Sequence, residues 1–253
     1  MYLDLDVHYG DGVAAAFRGA GARGQVLTLS IHHAGVGFFP ATEHSALPDI
    51  SSTAFDPFSL SLPLHAGASC ATFARVWPAI DRVLEAFAPD YIALQCGVDG
   101  LAEDPLGAWN WTLGGEGGLA WCVQRVLDCP AKVLLLGGGT VLVRLIRLLP
   151  LTCYVGGYSP SNTARAWALL TSLAVRQRCN GSRYYSRRLE QCGVPLPLDT
   201  PIPNHAGFPI YGPSFTLDVP SSNVRDENTE SYLAKVDAIF EHVAEILRTR
   251  LAL

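Results

Sequence analysis

The stretch Tyr2-Leu3-Asp4-Leu5-Asp6-Val7-His8-Tyr9-Gly10-Asp11-Gly12 decides how the rest of this chain is read. Apolar and polar positions alternate in it, which is the period of a strand. Alternation puts Asp4, Asp6 and His8 on one face, or fans them out as the strand ends. Two carboxylates and an imidazole on a hydrophobic strand are costly to bury. A divalent cation offsets that cost, and carboxylate oxygen and imidazole nitrogen are ordinary zinc ligands. A polar cluster that caps a neighbouring helix is the other reading of the same residues.

Working outward, further short apolar runs read as strands: Val26–Ile31, Ser59–Leu64, Tyr91–Cys96 and Lys132–Leu136. Between and after them lie helical patterns at Thr72–Phe87, Gly118–Leu127, Asn162–Leu173 and Thr229–Leu251, the last with Thr229 as its cap. Pro78 falls inside the first of these, so a kink or a later start is expected there. Strands alternating with helices predict an α/β fold, three layers α/β/α around a mainly parallel sheet covered on both faces.

In such sheets the ligand sits outside the carboxyl ends of the strands. The residues just after each apolar run are therefore the candidates. Asp99 follows the run Ile92–Val98 through a glycine turn. With Asp6 and His8 it makes three protein ligands and leaves a fourth position open, the arrangement of a catalytic metal rather than a structural one. Taken alone, Asp99 reads as a helix N-cap. His32 and His33 end the second run and are read as structural in preference to ligands or bases. Gly137-Gly138-Gly139 lacks the lysine of a phosphate loop. Arg225-Asp226-Glu227-Asn228 reads as a solvated loop ahead of the last helix.

Composition bounds the rest. The chain has 253 residues, 49% hydrophobic and 16% charged, with a formal net charge of -5. It can bury a sizeable core, and its mild acidity argues against a nucleic-acid partner. Seven cysteines without a CxxC pair argue against a disulfide framework or a cysteine-rich zinc site. The apolar stretch 133–155 holds Arg144 and Arg147, so it is not read as a membrane span.

Asp4–Gly12 closely resembles the metal-binding strand of the zinc-dependent histone deacetylases, class I in type. Gly37-Phe38-Phe39-Pro40 resembles their channel segment, and Gln95–Asp99 with Asp104-Pro105-Leu106 their second metal segment. Gly156-Gly157-Tyr158 with Asn162–Trp167 resembles their catalytic tyrosine loop and the helix after it. The resemblance implies an arginase/deacetylase-like fold and hydrolysis of the amide of acetyl-lysine. It implies Asp6, His8 and Asp99 as Zn2+ ligands, and Asp4 with Ser30 around a monovalent cation, K+. It implies Phe39 on the tunnel wall, Leu106 at its rim, and Tyr158 as the donor to the developing oxyanion. Acetylated histone tails or other acetyl-lysine proteins, a corepressor complex, transcription repression and a nuclear address, with a cytoplasmic pool, are the partners and setting it implies.

Two departures, at the beginning of the chain and at two inserted stretches, accompany the resemblance. The family carries an adjacent histidine pair, serving as base and acid, ahead of this strand. His32 and His33 follow the second strand and do not replace it. The one methionine, residue 1, directly precedes the first strand. The chain is thus expected to be the carboxy-terminal portion of one catalytic domain, lacking its amino-terminal part and impaired in catalysis. Two stretches, 140–155 and 175–191, also interrupt family motifs, and removing the first restores an unbroken glycine run into Tyr158. Both read as retained introns, each a whole number of codons. A non-catalytic remnant that binds metal or a corepressor, and a deacetylase of small acetylpolyamines, are the competing readings.

Overall fold

The computed structural model describes residues 1–19, 26–137, 156–181 and 195–252. Its centre is a five-stranded sheet made of β1 (Tyr2–Asp4), β2 (Thr28–His33), β3 (Ser59–Leu64), β4 (Tyr91–Gln95) and β5 (Lys132–Leu136). The strand order is β3-β2-β1-β4-β5 and every neighbouring pair is parallel. Leu3, Leu29, Ile31, Leu62 and Leu94 are fully buried, and successive residues of β2 and β3 are buried on both sides of the pleat. Such near-continuous apolar strands mark a parallel sheet covered on both faces. The chain is an α/β protein, as the alternation of strand and helix patterns predicts.

The helices are α1 (Asp11–Phe17), α2 (Cys70–Phe87), α3 (Leu119–Leu127), α4 (Pro160–Gly181) and α5 (Glu230–Leu251). The apolar stripe of α2 buries Phe73, Val76, Trp77, Ile80, Val83 and Leu84. Helix α2 runs through Pro78 and begins eight residues ahead of it, so the later start expected at the proline does not occur. Helix α5 lies against α2 through Val236, Phe240 and Val243, flanked by the Arg75–Glu230 and Arg82–Asp237 ion pairs. Thr229 caps α5 by accepting the Tyr232 amide. Helix α1 has no counterpart in the sequence reading, because seven residues with three alanines show no helical stripe.

The 225–228 segment corrects an expectation. Asp226 is not a solvated loop residue: its carboxylate accepts from the Ser69 amide, the Ser69 and Thr72 hydroxyls, and the amide and side chain of Asn228. It thereby serves the amino end of α2 from more than 150 residues away. Of the two interrupting stretches, 140–155 lies outside the described residues. Residues 175–181 continue α4, and 182–191 lie outside. Among the described residues no helix is long and apolar enough to cross a membrane.

Candidate metal centre

The strand order fixes where a site can form. From β1 the chain steps through β2 to β3 on one side, and from β4 to β5 on the other. The crevice between these two directions opens at the carboxyl ends of β1 and β4, the switch point at which open α/β sheets bind ligands. Asp4 pairs with Gln95 in register, so Asp6 and His8 leave β1 beside Asp99 leaving β4. The turn carrying Asp99 is seated on the core: Gly100 packs against Trp109, whose neighbour Trp111 stacks on Phe73 of α2 at 3.9 Å between ring centroids.

β1 ends at Asp4 because side chains take over its ladder. Asp4 Oδ1 accepts the Asp6 amide at 3.0 Å, Asp6 Oδ1 the His8 amide at 2.8 Å, and Asp99 Oδ1 the Val7 amide at 2.9 Å. Aspartates bonding the amide two residues on are the usual local competitors of a strand. The carboxylates therefore fan out. One ligand atom each from Asp6, His8 and Asp99 lie within 4.8 Å of one another, and Asp4 is not in this group. Asp4 turns instead toward Tyr2, whose hydroxyl it accepts at 2.8 Å, and it sits opposite Ser30 in the β1–β2 register.

The electrostatics ask for positive charge. Asp4, Asp6 and Asp99 are all buried. Burial, with the charge of Asp6, holds the Asp4 carboxyl well above the usual carboxylate range. The same two causes push Asp99 up to about 6, against the pull of His8 and of the Val7 amide. Burial lowers the proton affinity of His8, but Asp6 and Asp99 outweigh it and push the imidazole up to about 10. Its Nδ1 bonds Asp6 Oδ1 at 3.0 Å. Asp99 Oδ2 lies 3.0 Å from the same nitrogen as an ion-pair partner and makes no other polar contact among the described residues. Two buried carboxylates that converge on a single imidazole nitrogen fit a cation.

Glycines make the close packing around Asp6 possible. A Cβ on Gly97 or on Gly156 would stand 2.2 Å from Asp6 Oδ2, and one on Gly10 2.5 Å from Asp4 Oδ2. Aromatic rings frame the open side. Phe38 stacks on His8 at 5.1 Å between centroids, while Phe39 and Tyr158 approach edge-on, each at 6.4 Å. Phe39, Tyr158 and Leu106 are exposed at this mouth. Sequence reasoning placed Phe38 with Phe39 in the channel segment and Asp104 in the second metal segment, but assigned no individual contact to Phe38, Gly97 or Asp104. The Gly-Val-Asp turn was the available signal for Gly97. His32 and His33 stand apart from the cluster. His32 Nε2 is 2.9 Å from the Ser45 carbonyl and its Nδ1 3.1 Å from Ser30 Oγ. Burial pushes that imidazole down to about 4, so it is neutral. His33 Nδ1 faces the Leu64 carbonyl.

Sheet and site together define an α/β protein with a carboxylate–imidazole cluster, of a kind that could hold a metal ion, at its switch point. Comparison with known proteins narrows this class. The model of the histone deacetylase domain matches residues 1–174. Human histone deacetylase 1 is 31% identical over 249 residues, covering 96% of this chain and 42% of that protein. RPD3 of Saccharomyces cerevisiae is 32% identical over 237 residues, with 93% and 44% covered, and histone deacetylase 19 of Arabidopsis thaliana 31% over 237 residues, with 93% and 38%. The chain belongs to the histone deacetylase family. It spans about two fifths of the length of the curated relatives it matches.

Proposed function

We propose that this chain carries the metal-binding half of a zinc-dependent protein lysine deacetylase, with Asp6, His8 and Asp99 as the zinc ligands. The clustering of those three ligand atoms, in which the one close partner of Asp99 Oδ2 is the His8 imidazole, carries the reading. Charge supports it. Three buried carboxylates against one imidazolium leave two negative charges, each costing several kcal/mol to bury. A divalent ion on Asp6, neutral His8 and Asp99, with K+ on Asp4 beside Ser30, balances them. Zinc in that position supplies Lewis-acid polarisation of the amide carbonyl and acidifies water. The side chains of the chain do the rest. Phe38 and Phe39 shield the centre and fit the methylenes of acetyl-lysine, with Leu106 at the rim. The Tyr158 hydroxyl donates to the oxyanion of the tetrahedral intermediate. Acetylated histone tails in a nuclear corepressor setting are the substrates and context we assign by family, and 140–155 and 175–191 are read as retained introns, which transcript sequencing tests.

One observation favours a second reading. His32-His33 is the chain's sole adjacent histidine pair, and both rings face backbone carbonyls away from the cluster. A chain lacking the acid–base pair binds metal and turns over poorly, by typically 10²–10⁴-fold. Metal analysis after dialysis and turnover of an acetyl-lysine peptide separate the readings. One zinc per chain, lost in Asp99→Ala, is the expected result. Tyr158→Phe keeps the zinc and lowers any turnover by about 10²-fold or more. Absence of zinc at micromolar supply sinks the metal assignment, and zinc without turnover leaves the binding module.

A further inference from the structure

We propose that Asp104 is a positioning residue: one buried carboxylate that pins the main chain of Tyr158 and of the rim residue Leu106 to the same anchor. Its Oδ2 accepts the Tyr158 amide at 2.8 Å and its Oδ1 accepts the Leu106 amide at 3.0 Å. Asp104 is 5% exposed, and it takes part in none of the ion pairs among the described residues. Its charge is therefore held by backbone amides, in bonds roughly twice as strong as neutral ones.

The segments on either side show why such an anchor is needed. Residues 156–158 are two glycines and a tyrosine that is 44% exposed, so side-chain packing contributes little to their placement. Hydrogen bonds place them instead. The Val98 amide donates to the Gly156 carbonyl at 2.6 Å, and the Asp104 carboxylate takes the other end. The loop that presents Asp104 is itself over-determined. Glu103 is left-handed at φ 65°, a conformation unfavourable for a side-chain-bearing residue unless its surroundings hold it. It is held by Ala102 bonding Trp111, by Asn162 Nδ2 on the Ala102 carbonyl, and by the Gly107 amide on the Asp104 carbonyl. Aspartate is the one side chain of this length with two acceptors. Asparagine turns an N–H toward one of the two amides, and glutamate is a methylene too long.

The consequence for chemistry rests on the reading of Tyr158 as oxyanion donor. Misplacing a donor by about 1 Å costs on the order of 10²-fold. The tether can be read first in the unmutated 253-residue chain by hydrogen exchange. The Tyr158 amide should exchange at least about 100-fold slower than an unstructured amide, as a persistent hydrogen bond to a buried carboxylate requires. Exchange at the unstructured rate overturns the proposal without any variant. Next, 3-fluorotyrosine is incorporated and the residue 158 resonance assigned by its loss in Tyr158→Phe. Asp104→Asn should broaden or split that resonance in the zinc-loaded chain while zinc stoichiometry stays unchanged. Where the chain turns over acetyl-lysine peptide, Asp104→Asn should lower kcat about 10- to 100-fold with little change in KM, and less than about 2-fold further in the Tyr158→Phe background. An unchanged resonance in folded Asp104→Asn, or costs that multiply in the double variant, overturns the tether. Loss of zinc binding with the resonance still responding to Asp104→Asn overturns the deacetylase reading alone and supports the tether.

Discussion

Asp6 is pressed between the α-carbons of Gly97 and Gly156, and that contact joins three chain segments at a single carboxylate. Gly97 shows no left-handed torsion, so a methyl there is opposed by Asp6 rather than by its own backbone. Gly97→Ala should therefore move Asp6 and leave the fold standing. Perturbing a metal ligand's immediate supports costs 10–100-fold in affinity. Zinc affinity of Gly97→Ala, measured by competition with a chromogenic chelator, should fall by about that factor with a native circular dichroism spectrum. Equal affinity removes Asp6 from the ligand set. The sequence already marked Asp4, Asp6, His8 and Asp99 by type and position. What alternation could not say is that Asp4 parts from the other three, because each aspartate bonds the amide two residues on and turns the chain.

At the scale of elements, β3 and β5 stand where the apolar runs begin and end, since both runs are bounded by turn residues. β2 lies two residues further on than the run Val26–Ile31, because His32 and His33 stay in the ladder opposite Pro63 and Leu64. The amino end of α2 was illegible for a different reason: its partner, Asp226, is distant in sequence. That carboxylate is held below the usual carboxylate range. Burial opposes this, but the donors from Thr72, Asn228 and Ser69 prevail. A carboxylate whose folded pKa is depressed contributes stability above its unfolded pKa and loses it as pH falls through the folded one. Asp226→Asn should thus destabilise the chain at pH 7 by about 1–3 kcal/mol. The gap in Tm between wild type and variant should close as pH is lowered toward 3. A gap that stays constant with pH shows that the charge of Asp226 contributes nothing to the cap.

At the scale of the whole molecule, a parallel sheet brings chemistry from residues 4–8 and 97–99 to one edge, and that much follows from the order of apolar runs; the switch point between β1 and β4 comes from the strand order, which the runs do not carry. The other end of the strand order has a different character. β5 pairs with β4 on one side, and among the described residues no strand pairs with its other side. Val133 and Leu135 turn inward, while Leu134 is 60% and Leu136 37% exposed. Beside them runs a groove of about 670 Å³ lined by Leu127, Leu135, Trp167 and Ala174. A strand edge that no other described strand pairs, next to exposed leucines, is a template for pairing with another chain. The purified chain should therefore self-associate as its concentration rises, seen as a shift in sedimentation velocity. Burying a leucine contributes about 1.5–3 kcal/mol, so Leu134→Lys should weaken that association by roughly 10- to 100-fold. Because Leu134 points away from the core and lies on the far side of β4 from Asp4, the lysine should leave zinc binding and Tm nearly unchanged. A chain that stays monomeric across the concentration series, or an association indifferent to Leu134→Lys, removes this edge as the sticky surface.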